Sequence, residues 1–191
     1  WRKTFSEPEL PFYFVLVAAY GAIDTNPNTH GGWAFLREAQ SAALALPGTA
    51  MTTALDIGDA KNIHPLNKQE VGRRLADIAL NRLFGRSDVN CEMPKVQNVS
   101  FEGAKVVMTF SNAVTLKTND GKPVRAFAVM DKPGLNRFRW ANAEIDGNKI
   151  ILSCPEYDVI TAVRYGWASN PDVNLVNEHG LPALPFNMIK K

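Results

Sequence analysis

Two carboxylates and an imidazole share one nine-residue stretch, at Asp56, Asp59 and His64. In open α/β sheets ligands bind beyond the carboxyl ends of the strands, and Asp56 stands where the β-branched run Met51-Thr52-Thr53-Ala54-Leu55 gives out. A carboxylate beside an imidazole suits a general base and the acid that orients it, because the acid fixes the ring tautomer and stabilises the imidazolium. The same spacing also fits structural roles, with Asp capping a turn and His hydrogen-bonded ahead of a helix. A second set follows Gly31-Gly32: Trp33, Arg37 and Gln40 combine an aromatic face with polar groups that could meet a hydroxyl-rich ligand. Ordinary surface positions at a helix start are the alternative there. His30 and His179 lie in loops without partners at ligand spacing and read as surface residues. Three His and two Cys are too scattered for a zinc set, so neither metal nor cofactor is expected.

The elements that must position these residues follow from periodicity. Pro11 to Tyr20 is apolar without alternation, as in a strand buried on both faces of a parallel sheet. Trp33, Leu36, Ala39, Ala43 and Leu46 recur at helical spacing until Pro47-Gly48, and Met51–Leu55 reads as a second strand. Asn67 and Glu70 have capping-box spacing ahead of an apolar stripe of Val71, Leu75, Ile78, Ala79 and Leu83 that ends at Gly85. Strand, helix, strand, helix implies part of a layered α/β domain over residues 1–86.

Arg86 to Pro94 is polar and reads as a linker. Beyond it, runs at Val96–Phe101, Ala104–Phe110, Val114–Thr118, Val124–Met130, Phe138–Ile145 and Ile150–Cys154 are separated by Glu102-Gly103, Asn119-Asp120-Gly121, Lys132-Pro133-Gly134 and Asp146-Gly147-Asn148. Strands at this spacing with Asp-Gly turns predict an antiparallel β-sandwich over 87–191. Val159–Trp167 reads as its last strand, and Ala168–Lys191 as an irregular strap. Trp140 and Trp167 read as core residues of this half rather than as a sugar platform. Cys91 and Cys154 would close a loop of about 60 residues if oxidised, and two free, buried thiols are the alternative.

Composition bounds the function. The 191 residues are 46% hydrophobic and 21% charged, ordinary globular values. A net charge of +2 gives no reason to expect nucleic acid, and the longest apolar stretch is too short for a membrane span. Trp1-Arg2-Lys3-Thr4-Phe5 is neither an initiator sequence nor a signal peptide, so a preceding segment is expected, and any targeting signal with it.

The block Asp56-Ile57-Gly58-Asp59, then Asn62-Ile63-His64-Pro65-Leu66-Asn67-Lys68-Gln69-Glu70-Val71-Gly72-Arg73-Arg74-Leu75, resembles the one that closes the catalytic domain of sialate O-acetylesterase-like carbohydrate esterases of the SGNH hydrolase type. Pro11–Val15, Trp33–Gln40, Trp167–Pro171, Asn174-Leu175 and Gly180–Ala183 with Pro185-Phe186 fit the same family. The resemblance implies the C-terminal part of a three-layer α/β/α domain followed by the β half. It further implies an acetylated carbohydrate as substrate and a secreted, periplasmic or lysosomal setting. By it, His64 is the catalytic base. SGNH enzymes commonly carry an Asp three residues before that His; Lys61 stands here and has no acceptor for an imidazole N–H. Asp59, or else Asp56 or a backbone carbonyl, would take that role. The family's Gly-Asp-Ser or Gly-Gln-Ser nucleophile block is not in this chain: Ser6, Ser41, Ser87, Ser100, Ser111, Ser153 and Ser169 all lack its context. The nucleophile is therefore expected on a preceding segment or chain, and the 191 residues alone should not turn over. A non-catalytic carbohydrate-binding module, its β half meeting glycan beside a remnant α/β scaffold, is the competing expectation.

Overall fold

The computed structural model describes residues 1–132 and 137–190. A short helix, α1 (Arg2–Phe5), precedes β1 (Phe12–Leu16), whose aromatic and branched residues favour an extended backbone. β1 pairs in parallel with β2 (Thr49–Thr53), Phe12 opposite Thr49 and Leu16 opposite Thr53. Parallel neighbours need a crossover, and α2 (Trp33–Ala42), extended by a 3₁₀ turn at Ala43–Ala45, supplies it. The β1 strand is not buried on both faces as expected: Phe12 is exposed and only Leu16 is buried. α3 (Lys68–Arg82) starts where the capping box predicts, with the Asn67 Oδ1 accepting the Glu70 N–H at 3.1 Å. Its buried residues are Arg74 and Ile78, while Leu83 at its C-terminal end is exposed.

Residues 86–94 are not a free linker. Cys91, Met93 and Pro94 are buried, and Asn81 Nδ2 donates to the Val89 carbonyl at 2.9 Å. Ten strands follow: β3 (Lys95–Glu102), β4 (Lys105–Ser111), β5 (Leu116–Thr118), β6 (Phe127–Met130), β7 (Arg139–Trp140), β8 (Asn142–Asp146), β9 (Lys149–Ser153), β10 (Ala162–Tyr165), β11 (Leu175–Asn177) and β12 (Phe186–Ile189). They form antiparallel sheets in the orders β3-β4-β9-β8 and β12-β10-β6-β7, with β11 paired to β5. Gly103 and Gly147 take the β3–β4 and β8–β9 turns at φ +64° and +59°, a region open to glycine. The turn expected at Lys132-Pro133-Gly134 lies partly outside the described residues.

Two expectations need correction. The run read as one strand over Phe138–Ile145 splits at Ala141 into β7 and β8, which belong to different sheets. β10 is not the last strand either; the tail contributes β11 and β12, and β12 hydrogen-bonds to β10. Alternation decides which side chains meet. Val106, Met108 and Phe110 of β4 and Ile150 and Leu152 of β9 share one core with Phe127 and Val129 of β6 and Val163 and Tyr165 of β10. The whole is a mixed α/β fold, mostly strands, with several antiparallel sheets. Cys154 packs in this core and Cys91 against Ala50 and Ile78, and both thiols are free. No helix among the described residues is long and apolar enough to cross a membrane.

Candidate active site

Beyond the carboxyl ends of β1 and β2 the backbone is held by buried side chains. Arg37 is 0% exposed. Its Nε donates to the Val17 carbonyl at 2.8 Å, its Nη2 to Ala18 at 3.0 Å and Ser169 at 2.8 Å, and its Nη1 to Ala168 at 2.6 Å. Burial pulls its pKa down to about 10. The sugar-contact role expected of Arg37 is corrected accordingly: its donors are consumed on carbonyls, and it ties the end of β1 to the segment after β10. Gln40 works on the same stretch, its Oε1 accepting the Val17 N–H at 3.0 Å. Trp33 is half-buried, stacked on Tyr20 with ring centroids 5.6 Å apart, and its backbone N–H donates to Ser169 Oγ at 3.3 Å. Of the three residues expected to meet sugar, Arg37 is buried, while Trp33 and Gln40 are partly exposed.

The β2 end runs through a 3₁₀ turn, Leu55–Ile57, into the His64 loop. A Cβ at Gly58 would collide with the Ala19 carbonyl, and the Gly21 N–H donates to Ala60 at 3.2 Å. The loop therefore lies directly against the continuation of β1. Asp56 is paired with Arg74. Both its oxygens accept from Arg74, Oδ1 from Nη1 at 2.8 Å and Oδ2 from Nη2 at 2.7 Å, while Arg74 also donates to the Thr53 carbonyl and to Glu70. Burial opposes the Arg74 charge, yet Asp56 and Glu70 outweigh it and raise its pKa. Glu70, hydrogen-bonded first by Arg73 and then by Arg74, is pulled down to about 2.

Asp59 caps a turn through Oδ1, which accepts the Lys61 N–H at 2.7 Å; Asn62 Oδ1 does the same for the His64 N–H at 2.9 Å. Pro65 is buried and anchors the loop, which leaves His64 exposed. Among the described residues no side chain is hydrogen-bonded to the His64 ring. The structure thus puts Asp59 and His64 in one exposed loop at the sheet edge without joining them, and commits Asp56 to α3. His30 is exposed; His179 is exposed beside Glu178, Nε2 to Oε1 3.3 Å. Among the described residues no group of three His, Cys, Asp or Glu could hold a metal ion.

Sequence reasoning missed the Arg74 clip, although Glu70, Arg74 and Ile78 at i, i+4 spacing put an arginine on the apolar stripe of α3. It also missed how Trp140 sits. Trp167 is buried as expected, but Trp140 is 45% exposed beside a cavity.

The fold has a counterpart among solved structures. The chain is similar to a carbohydrate acetylesterase from Xanthomonas citri, with a TM-score of 0.87 and 37% sequence identity over 98% of this chain and 43% of that one. It therefore spans less than half the length of that enzyme. No family model and no curated protein matches the chain.

Proposed function

We propose that this chain is the base-bearing part of a serine carbohydrate O-acetylesterase of the SGNH type, acting on acetylated sialic acid or related acetylated sugars. The likeness to the Xanthomonas enzyme across 98% of the chain carries the reading. In this reaction His64 takes the proton of a serine hydroxyl as it attacks the acetyl carbonyl, then returns it to the departing sugar alcohol. In the second half it activates the water that releases acetate. Asp59 is the carboxylate assigned to orient the ring, because both oxygens of Asp56 are already committed to Arg74. The serine belongs to a segment outside these 191 residues. Among the described residues β1 and β2 pair only with each other, and Phe12, Phe35, Leu36, Leu44 and Leu66 around them are exposed, surfaces that further catalytic-domain elements would cover.

The test is ester hydrolysis by the full-length protein on an aryl acetate and on O-acetylated sialic acid. His64→Ala should lower kcat by about a thousandfold or more. The 191 residues alone should show no turnover; substantial His64-dependent hydrolysis by them would refute the split of the catalytic machinery. An unchanged rate for His64→Ala in the full-length protein would favour the binding-module alternative.

A further inference from the structure

The outer face of the β12-β10-β6-β7 sheet meets the loop that leaves β1. Along that seam opens a cavity of about 330 Å³, lined by Asp24, Pro27, Trp140, Arg164 and Trp167 among others. A second hollow of about 440 Å³ adjoins it, and Pro27 and Trp140 line both. The seam is built for rigidity. Asn28 Oδ1 accepts the Phe138 N–H at 2.6 Å, its Nδ2 donates to the Phe138 carbonyl at 2.8 Å, and the Trp140 indole N–H donates to Thr25 at 3.0 Å.

Arg164 stands out on this surface. It lies on β10 opposite Ala128, is 5% exposed, and its guanidinium sits 3.7 Å over the Phe138 ring. Its Nη2 is enclosed and has no hydrogen-bond partner among the described residues. Burial pulls its pKa down to about 10, and Asp24 is the carboxylate that opposes this. A buried N–H without an acceptor is a standing cost that an incoming oxygen would remove. The first cavity has no excess of positive charge to attract an anion, whereas the adjoining hollow is lined by Arg137, Arg139 and Glu156. Arg164 and Arg125 line the first together with Asp24 and Asp172, and Arg125 is already paired with Asp172 and Asp120 at 2.8 Å. A ligand must therefore offer acceptors to a guanidinium, donors to a carboxylate and an apolar face to an indole, while bringing no charge. A pyranose ring meets all of these requirements.

We propose that the cavity between Asp24, Arg164 and Trp140 forms a subsite for a neutral pyranose oligosaccharide, with Arg164 donating to ring oxygens, Asp24 accepting from hydroxyls and Trp140 supporting one ring face. This deepens the carbohydrate esterase reading and rests on it, and of the substrates named there it selects the neutral acetylated sugars over sialic acid, whose carboxylate the cavity does not favour. The subsite would hold the glycan chain on the β half while its acetyl group is presented at the sheet edge that carries His64.

The test is calorimetric titration of the full-length protein with unacetylated cellotetraose, xylotetraose and, as the acidic counterpart, tetragalacturonate. At least one neutral tetrasaccharide should bind. Trp140→Ala should weaken it by about tenfold or more and Trp140→Phe by about threefold or less, since a smaller aromatic face remains. Arg164→Lys, which keeps the charge but loses the fork, should weaken it by about fivefold or more. Should Arg164→Lys fail to fold, the half-exposed Trp140 pair decides alone. The proposal is overturned if neither neutral tetrasaccharide binds, if Trp140→Ala binds as well as the parent, or if tetragalacturonate binds in preference. Aryl acetate hydrolysis by the parent reads the catalytic proposal separately. A parent without any hydrolysis would refute the esterase reading whatever the titration shows.

Discussion

Asp56 and Asp59 lie three positions apart, and in sequence either can serve the same histidine. Their surroundings separate them. The Asp56 side chain is 8% exposed and faces Arg74 at 3%, so the pair has exchanged its water for each other. Removing one member of such a pair strands a buried charge, and Asp56→Ala should cost about 3–5 kcal/mol in urea unfolding. Asp59 uses Oδ1 on the Lys61 N–H and has no arginine partner among the described residues. Asp59→Asn should leave unfolding nearly unchanged, because an amide oxygen can cap the same turn. On the proposed assignment, in which His64 is the base and Asp59 orients it, the same change in the full-length protein should lower kcat on an aryl acetate by about tenfold or more. The opposite pattern, with Asp56→Ala slowing the folded enzyme more than Asp59→Asn does, would reassign the acid to Asp56.

At the scale of the element, α3 fastens the His64 loop to the sheet through Glu70, Arg74 and Asp56. Glu70 sits near pH 2 instead of its ordinary 4.5 because Arg73 and Arg74 hydrogen-bond its charged form. A carboxylate depressed on folding contributes stability that is fully present above its unfolded value and is lost as pH falls through its folded one. The contribution should therefore fade between about pH 4.5 and pH 2. Glu70→Gln should make the loss of unfolding free energy across that window shallower, as read by urea titrations at successive pH values; an unchanged slope would refute the linkage. The start of α3 was legible in the sequence because its cap is local, Asn67 to Glu70. The presence and order of β1, α2 and β2 likewise follow from short-range periodicity and from the break at Pro47-Gly48, but their extents do not: the run expected from Pro11 to Tyr20 pairs only over Phe12–Leu16, and β2 is Thr49–Thr53 rather than Met51–Leu55. The role of Arg37 was not legible: its acceptor Ala168 lies 131 residues away, and a carbonyl carries no residue-type signal. The split of β7 from β8 at Ala141 was equally hidden, since the apolar pattern continues across it while the hydrogen-bonding partner changes from β6 to β9. In the His64 loop the residue types were readable, but the choice between Asp56 and Asp59 depended on where Arg74 points.

On the scale of the whole molecule the two halves are unequally finished. The β half closes a shared core in which Val106, Met108, Phe110, Ile150 and Leu152 are fully buried. The α/β half presents a two-stranded parallel sheet, and two strands alone are marginal in water. Its exposed apolar residues include Phe12, Leu36, Leu44 and Leu46, on and around β1 and α2. If this half belongs to a larger catalytic domain, its amides should be protected by the rest of that domain rather than by its own contacts. Hydrogen exchange on the isolated 191 residues should show β1 and β2 exchanging about tenfold or more faster than β4, β9, β6 and β10. In the full-length protein the β1 and β2 amides should slow towards the rates of the β core, while the core strands change little. Equal protection of both halves in the isolated chain would mean that the parallel pair is stable by itself, and the proposal that further elements complete it would lose its physical ground. Slow exchange at β1 and β2 only in the full-length protein would place the missing surface on the sheet edge beside His64, where a serine has to arrive for the chemistry to proceed.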